Sequence, residues 1–381
     1  MKKFISILLC VILVFCSASV VAFAENSNEL RFGDDGKFTI LQITDPQDDA
    51  HIAYGLVEFI EKAIDLTQPD FIVITGDLVE DSRLGDISSD DEILKEGVTV
   101  DGNYEKTLEN VKAAVAQIFA PLEKSGIPYG VTLGNNDYKS GVTTEDWLKI
   151  FSEYPNCVTV DMSEDSEGKI DTRLAVLSSE SDEAAYYLWL LDNGRSFNAE
   201  QLEWMADSET SSLPGVVFAH SPIDDMGNLY EPCKAYDEGA IISGTDVYRL
   251  NDAIAGGHAE DIILPGAETE EFKVFKAKNV NGAFFGHWHT SGFTGTYDGI
   301  TMGLTYGCQF AKEGPYGIRT IELDETKGEF TTKLFTYSNG QFSIQRNKAY
   351  AEVNNNLAGF IAKIRNFMTF IINSLTYLFK F

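Results

Sequence analysis

The stretch Gly282-Ala-Phe-Phe-Gly286-His287-Trp288-His289-Thr-Ser-Gly-Phe293 decides how the rest of the chain is read. The chain has five histidines, and two of them stand here at i and i+2, directly after the apolar run Ala283-Phe284-Phe285. Such a run predicts a buried strand. If strand pairing continued past it, His287 and His289 would point to one face and offer two imidazoles to a single polar site. Imidazole is the commonest neutral ligand for first-row metals. The other reading is two surface histidines in a loop, so the choice falls to the remaining stretches.

Working outward, other predicted strands end the same way. Phe38–Ile43 runs into Thr44-Asp45-Pro46-Gln47-Asp48-Asp49; Asp70–Thr75 ends in Gly76-Asp77; Tyr129–Leu133 ends in Gly134-Asn135-Asn136-Asp137. Gly215–Ala219 delivers His220. In α/β folds the carboxyl ends of strands are where ligands bind. Helical periodicity over 52–66 and 104–123, and strands over 172–177 and 186–191, fill the intervals. Residues 80–103, acidic and rich in Gly and Ser, are expected to be a solvated insertion, and 224–270 a long irregular connection. Short alternating runs at 292–297, 300–304, 318–323 and 329–335 predict an antiparallel tail to the sheet.

The polar residues at these ends are Asp45, Gln47, Asp77, Asn135, His220, His287 and His289. Two borderline metal ions need several N and O ligands and a carboxylate able to bridge them. Asp77, alone behind Gly76, is the candidate bridge. Mixed imidazole, carboxylate and amide donors suit Mn, Fe or Zn, whereas calcium takes oxygen.

The ordered series Asp45-x-Gln47, Gly76-Asp77, Gly134-Asn135-Asn136-Asp137, His220 and Gly286-His287-Trp288-His289 resembles the calcineurin-like metallophosphoesterase superfamily. Within it, Tyr187-Leu-Trp-Leu-Leu-Asp192 and Ala199-Glu-Gln-Leu-Glu-Trp204 are similar to the purple-acid-phosphatase-like branch. The resemblance runs from about Phe38 to Phe335. It implies a two-sheet α/β sandwich flanked by helices, with a metallophosphoesterase domain over 38–345. It places one ion on Asp45, Gln47, Asp77 and His289, and the other on Asp77, Asn135, His220 and His287. It implies in-line attack of a metal-bound hydroxide on a phosphate ester, with Asn136 and Asp137 as the catalytic positions beside the metals.

Three departures from the family pattern stand out. Gln47 occupies a position that is histidine in many relatives, though an amide oxygen still coordinates. Asn136 stands where the pattern has a histidine that assists the leaving group, and an amide cannot act as a general acid near neutral pH. That points to a second reading, a catalytically weakened relative that binds metal, phosphate or a surface partner. His51 and His258 are the remaining imidazoles able to substitute; surface positions are the alternative for both. Third, the tyrosine that ligates ferric iron in true purple acid phosphatases is Glu80 here, so no purple charge-transfer band is expected. Glu80 or Asp81 either adds a carboxylate to the site or is simply solvated.

The ends of the chain differ in character. Lys2 and Lys3, an apolar run from Phe4 to Phe15 and the small-residue end Ala22-Phe23-Ala24 predict a signal peptide over 1–24, hence an exported protein, followed by a polar leader over 25–37. A retained anchor is the alternative, though the run is short of the ~20 apolar residues of a span. Cleavage removes Lys2 and Lys3 and no acid, taking the formal charge from −30 to −32. Such acidity predicts repulsion of nucleic acid and of anionic lipid headgroups except where metal ions or local Lys/Arg reverse the field, and no nucleic-acid-binding surface is evident. Cys157, Cys233 and Cys308 are too few for a disulfide scaffold. At the other end, Phe360, Ile364, Phe367, Ile371, Leu375 and Leu378 predict an amphipathic helix over 355–381. Too short between Arg365 and Lys380 for a span, residues 357–381 are expected to lie on a membrane surface, on a partner or on the body of the protein.

Overall fold

Alternation along the central strands dictates the layering. The computed structural model describes residues 29–345 apart from 81–102, 164–167, 195, 210–211, 238, 244, 252–254, 258–261 and 313. In chain order the strands are β1 (Leu30–Arg31), β2 (Lys37–Ile43), β3 (Phe71–Thr75), β4 (Tyr129–Thr132), β5 (Thr172–Leu177), β6 (Ala184–Leu191), β7 (Gly215–Ala219), β8 (Tyr230–Pro232), β9 (Ile241–Ser243), β10 (Asp246–Leu250), β11 (Ala255–Gly257), β12 (Val280–Phe285), β13 (Gly292–Tyr297), β14 (Ile300–Leu304), β15 (Tyr316–Asp324), β16 (Glu329–Ser338) and β17 (Gln341–Ile344). Among the described residues they form one sheet of order β1-β5-β6-β7-β12-β14-β13-β11 and another of order β17-β16-β15-β2-β3-β4.

Side chains of opposite parity go to opposite faces. Phe38 and Ile40 of β2, Phe71 and Val73 of β3, Val216 and Phe218 of β7 and Phe284 of β12 meet in a core between the sheets. Their neighbours Leu41, Ile43, Ile72 and Ile74 face outward onto helices α1 (Leu56–Thr67), α2 (Tyr104–Ser125) and, past the short α3 (Asn135–Lys139), α4 (Thr144–Ser152). On the far side Val217, Ala219, Ala283 and Phe285 pack beneath α5 (Ala199–Asp207) and α6 (Glu270–Ala277). The result is the expected two-sheet sandwich flanked by helices. Each fully buried Phe or Ile in these layers contributes about 1.5–3 kcal/mol.

Topology then positions the site. β2, β3 and β4 are mutually parallel, as are β6, β7 and β12. Their carboxyl ends emerge along one edge, where an isolated bridge between Gly134 and Gly194 joins the two sheets.

Some expectations are corrected. The polar leader contains β1, because Leu30 and Phe32 reach into the inter-sheet core while β1 pairs with β5. The connection over 224–270 is not irregular throughout: β8, β10 and β9 form a small antiparallel sheet. Residues 1–24, most of the insertion over 80–103, Asp81, His258 and the helix expected over 355–381 lie outside the described residues.

Candidate metal centre

The site is built from loops that leave the strands in unusual backbone conformations. Asp45, Gln47, Asp77 and His287 all have positive φ, at 53°, 40°, 51° and 69°. Non-glycine residues rarely adopt this region, and such strain clusters where function demands a fixed geometry. For His287 the turn also ends the strand periodicity, so the two histidines do not share one partner. His287 goes toward His220, with Nδ1 3.2 Å from His220 Nε2, whereas His289 Nε2 lies 3.3 Å from Asp45 Oδ1.

Two glycines let the loops approach each other. A Cβ on Gly134 would stand 2.2 Å from Asp77 Oδ1, and one on Gly286 would stand 1.8 Å from Thr44 Oγ1. Real Cβ atoms do not come so close, so the Gly-Asn and Gly-His steps are steric requirements of the site.

Asp77 is the hub. Asp77, His220 and His287 present ligand atoms within 4.8 Å of one another, and so do Asp45, Asp77 and His289. Asn135 Oδ1 is 3.2 Å from His220 Nε2, adding a neutral oxygen donor. Thr75 O accepts from His220 Nδ1 at 2.9 Å, which fixes the ring so that Nε2 faces Asp77 at 3.4 Å. Such a carbonyl behind an imidazole is the usual way a metal-ligating histidine is oriented. Asp45 Oδ2 accepts from Thr44 Oγ1 at 2.6 Å and from His287 N at 3.0 Å, whereas Asp45 Oδ1, 3.3 Å from His289 Nε2, is buried and accepts no hydrogen bond among the described residues. A buried carboxylate oxygen left without a donor is costly, and a cation is what such an atom lacks.

The electrostatics agree. Burial pushes the Asp77 carboxyl up, but His220 and His287 outweigh it and hold Asp77 well below the usual carboxylate range. Burial opposes charge on His220, yet Asp77 and then Asp45 raise it to about 10. His287, buried and beside His220, is pushed down to about 4. The site thus draws positive charge into its centre, a role a divalent cation takes over from a proton. The residues present fit a pair of ions sharing Asp77.

Gln47 lies at the edge of this cluster, where its Oε1 accepts a hydrogen bond from Gln309 Nε2. Gln309 Nε2 also donates to Glu80 Oε2 at 3.1 Å, and Lys312 Nζ is 3.4 Å from the same oxygen. Glu80 is therefore buried and paired rather than solvated. Asn136 donates from N to Asp77 Oδ1 at 2.8 Å and from Nδ2 to Asp77 Oδ2 at 2.6 Å, so it orients the shared carboxylate. Asp137 sits behind the site: fully buried, it accepts from Gly134 N at 2.8 Å and from Val79 N at 3.1 Å, tying the two ligand loops together. His51 is exposed, its backbone N donating to Asp49 Oδ1.

Sequence reasoning passed over three residues. Asn193 Oδ1 accepts from His220 N at 3.1 Å and Ser221 N at 3.0 Å, bracing the His220 loop. Its signal was available, because Asp192-Asn193-Gly194 repeats the strand-end pattern of the other ligand loops. Gln309 had no such signal. Lys139, one turn beyond Asn136, joins Asn135, Asn136, His287 and Trp288 in lining a cavity of about 570 Å³ that opens on Asp77.

Comparison with known proteins places this geometry. A protein of Arabidopsis thaliana named "Probable inactive purple acid phosphatase 14" is 22% identical over 386 residues, covering 85% of each chain. A second, "Probable inactive purple acid phosphatase 28" from the same plant, is 24% identical over 365 residues and 79% of each chain. Among solved structures, a dimetal phosphatase from Danio rerio aligns over 81% of this chain and 98% of its own, at 12% identity and a TM-score of 0.47. The family model described as "Calcineurin-like phosphoesterase" matches residues 38–291, a segment that opens in β2 just ahead of Asp45 and closes just after His289. Because that match takes in well over half of the chain and every strand end described above, the protein belongs to the calcineurin-like phosphoesterase family.

Proposed function

We propose that the protein is an exported, metal-dependent phosphoesterase whose ions are Mn, Fe or Zn. The observation that carries the reading is the pair of ligand triads meeting on Asp77 at the floor of a cavity. When bound there, two ions supply Lewis acidity toward a phosphoryl oxygen and a nucleophile at neutral pH. Asp45, Gln47 and His289 would hold one ion, Asn135, His220 and His287 the other, with Asp77 between them. Asn136 holds Asp77 in the bridging orientation, and Asp137 holds the loops that carry both. In a chain of net charge −30, such a cation pair is also what makes the cavity hospitable to a phosphate. Hydrolysis of p-nitrophenyl phosphate and of its bis-ester, with each metal added to metal-stripped protein, tests the reading. A protein that binds two ions and turns over neither ester contradicts it.

A second reading is favoured by one specific residue. Asn136 offers no transferable proton, and the two plant relatives carry the word "inactive" in their names. In that reading the centre binds metal or phosphate with little turnover. Losing a general acid costs ~10²–10⁴-fold in rate, so Asn136→His decides between the two. A gain of that order indicates a degenerate site; no gain indicates that the asparagine belongs to a working one. Export rests on the signal-peptide pattern of residues 1–24, and a mature N-terminus at Glu25 in secreted material is its test. Membrane-surface contact through residues 357–381 rests on their apolar periodicity; deletion of that segment with unchanged liposome binding removes it.

A further inference from the structure

β6 pairs in parallel with β7, so Asp192-Asn193-Gly194 leaves β6 beside the loop that carries His220. Asn193 is 1% exposed, and a buried amide at the margin of a ligand cluster needs partners of its own. Those partners show whether it coordinates or positions. A carbonyl oxygen has two lone pairs, and Asn193 Oδ1 uses both, accepting from His220 N at 3.1 Å and from Ser221 N at 3.0 Å. Asn193 Nδ2 donates to Ser221 O at 2.8 Å. Three hydrogen bonds to two consecutive residues clamp the backbone of a ligand and leave Asn193 no oxygen lone pair for an ion.

The clamp has a fixed base. Gln201 Nε2 donates to Asp192 O at 2.7 Å, Asp192 N donates to Asp171 Oδ1 at 2.9 Å, and Gly194 forms the bridge to Gly134. His220 is thus held at both ends, its backbone by Asn193 and its ring Nδ1 by Thr75 O at 2.9 Å. Nε2 is then left 3.4 Å from Asp77 Oδ1 and 3.2 Å from Asn135 Oδ1. The ligands of the other ion have different backbone anchors. Asp45 N donates to Gly76 O at 3.1 Å, Gln47 N donates to Asp77 O at 2.8 Å, and His289 O accepts from Gly307 N at 3.0 Å.

We propose that Asn193 is a positioning residue that acts through His220 on one ion of the pair and not on the other. The inference rests on the two-ion reading and adds a residue that controls the two ion sites unequally. Without the Asn193 side chain, two buried N–H groups at His220 and Ser221 lose their acceptor, while the anchors of Asp45, Gln47 and His289 stay in place.

The test is calorimetric titration of metal-stripped, full-length protein with Mn²⁺, with urea unfolding to establish that each variant is folded. In Asn193→Ala one ion is expected to bind as in the wild type and the other about 10- to 100-fold more weakly, the usual effect of removing the partner behind a metal ligand. Combination with ligand variants identifies the ion. His220→Ala is expected to keep the ion on Asp45, Gln47, Asp77 and His289, and adding Asn193→Ala is expected to change its affinity by less than about twofold. His289→Ala is expected to keep the ion on the His220 side, and there Asn193→Ala is expected to weaken the ion that remains. Equal weakening of both ions in Asn193→Ala, or a further loss on top of His220→Ala, assigns Asn193 to structure and overturns the proposal. Unchanged affinity for both ions overturns it as well. Asn193→Ser shortens the acceptor with a smaller loss of volume, and the same combinations made with it decide the matter if Asn193→Ala does not fold. Folded wild type that binds no Mn²⁺ overturns the proposal together with the two-ion reading.

Discussion

At the scale of single residues, the centre is asymmetric in what each ligand controls. Asp77 belongs to both triads, whereas Asp45 and His289 belong to one and His220 and His287 to the other. Asp77→Asn keeps the shape and removes the shared anionic donor, so metal analysis of the purified variant is expected to find neither ion retained. Asp45→Asn is expected to retain the ion on the His220 side, because its loss leaves that triad whole. Equal metal content in the two variants would mean that Asp77 is not shared. The backbone makes a matching demand. An alanine at 286 would drive its Cβ into Thr44 Oγ1 and toward Asp45 Oδ2, at 1.8 and 2.7 Å, so Gly286→Ala is expected to cost about 1–3 kcal/mol in urea unfolding and to reduce bound metal. Wild-type metal content in a destabilised Gly286→Ala protein would separate the turn from the site.

At the scale of elements, α3 matters more than its five residues suggest, because it carries Asn135 and is held from both ends. Asp137 caps its start, and Tyr138 Oη lies 2.6 Å from Asp192 Oδ2, just beyond β6. Asp192 is fully buried; burial raises its carboxyl to about 7 despite the opposing charge of Lys169 and the Tyr138 hydroxyl. A carboxyl whose folded value lies above its unfolded value binds its proton more tightly in the folded state. Its contribution to stability is therefore fully present below about pH 4 and is lost as pH rises toward 7, by an amount on the order of a few kcal/mol. Urea midpoints of the wild type are expected to fall relative to those of Asp192→Asn between pH 5 and 8. Parallel profiles for the two proteins would show that Asp192 does not titrate there. The same element marks the limit of what the residues disclose on inspection. β5, β7, β13 and β14 fall within the residue bounds read from alternation and apolar runs, and the strand-end ligands follow β2, β3, β4, β7 and β12, whose carboxyl ends share one edge. Such features are local: a period of two, a glycine, a carboxylate next to it. What was not legible depends on partners distant in sequence. β1 is only two residues long and exists because β5 lies beside it. The His287 turn breaks a periodicity that nothing before it announces. Gln309 faces Gln47 across 262 positions.

At the scale of the whole molecule, the two sheets are joined through their apolar interior by a polar chain that ends at the metal centre. Arg319 on β15 is fully buried with no carboxylate paired to it among the described residues, and burial lowers its guanidinium to about 9. It donates to Thr294 Oγ1 at 2.6 Å, Thr305 Oγ1 at 3.0 Å and Leu304 O at 2.7 Å, all on the β13–β14 side. Thr305 Oγ1 donates to Gln42 Oε1 at 2.7 Å, and Gln42 Nε2 donates to Thr75 Oγ1 at 3.0 Å and to Phe285 O at 3.2 Å. Thr75 O in turn receives His220 Nδ1 and Thr44 Oγ1. Each link is a satisfied buried polar group, and removing one leaves its neighbour unpaired at about 1–3 kcal/mol. Arg319→Met strands several oxygens at once and is expected to lower the urea midpoint by an amount equivalent to about 3–5 kcal/mol. Gln42→Met is the sharper experiment, because it keeps volume, carries no charge and cuts the chain midway. If the chain holds β3 and β12 in register beneath the ligands, Gln42→Met loses about 1–3 kcal/mol and also binds metal more weakly, since Thr75 and the Phe285–Gly286 turn then lose their common anchor. Calorimetric metal titration reads that second effect directly. Unchanged metal affinity beside reduced stability would confine the chain to holding the sheets together.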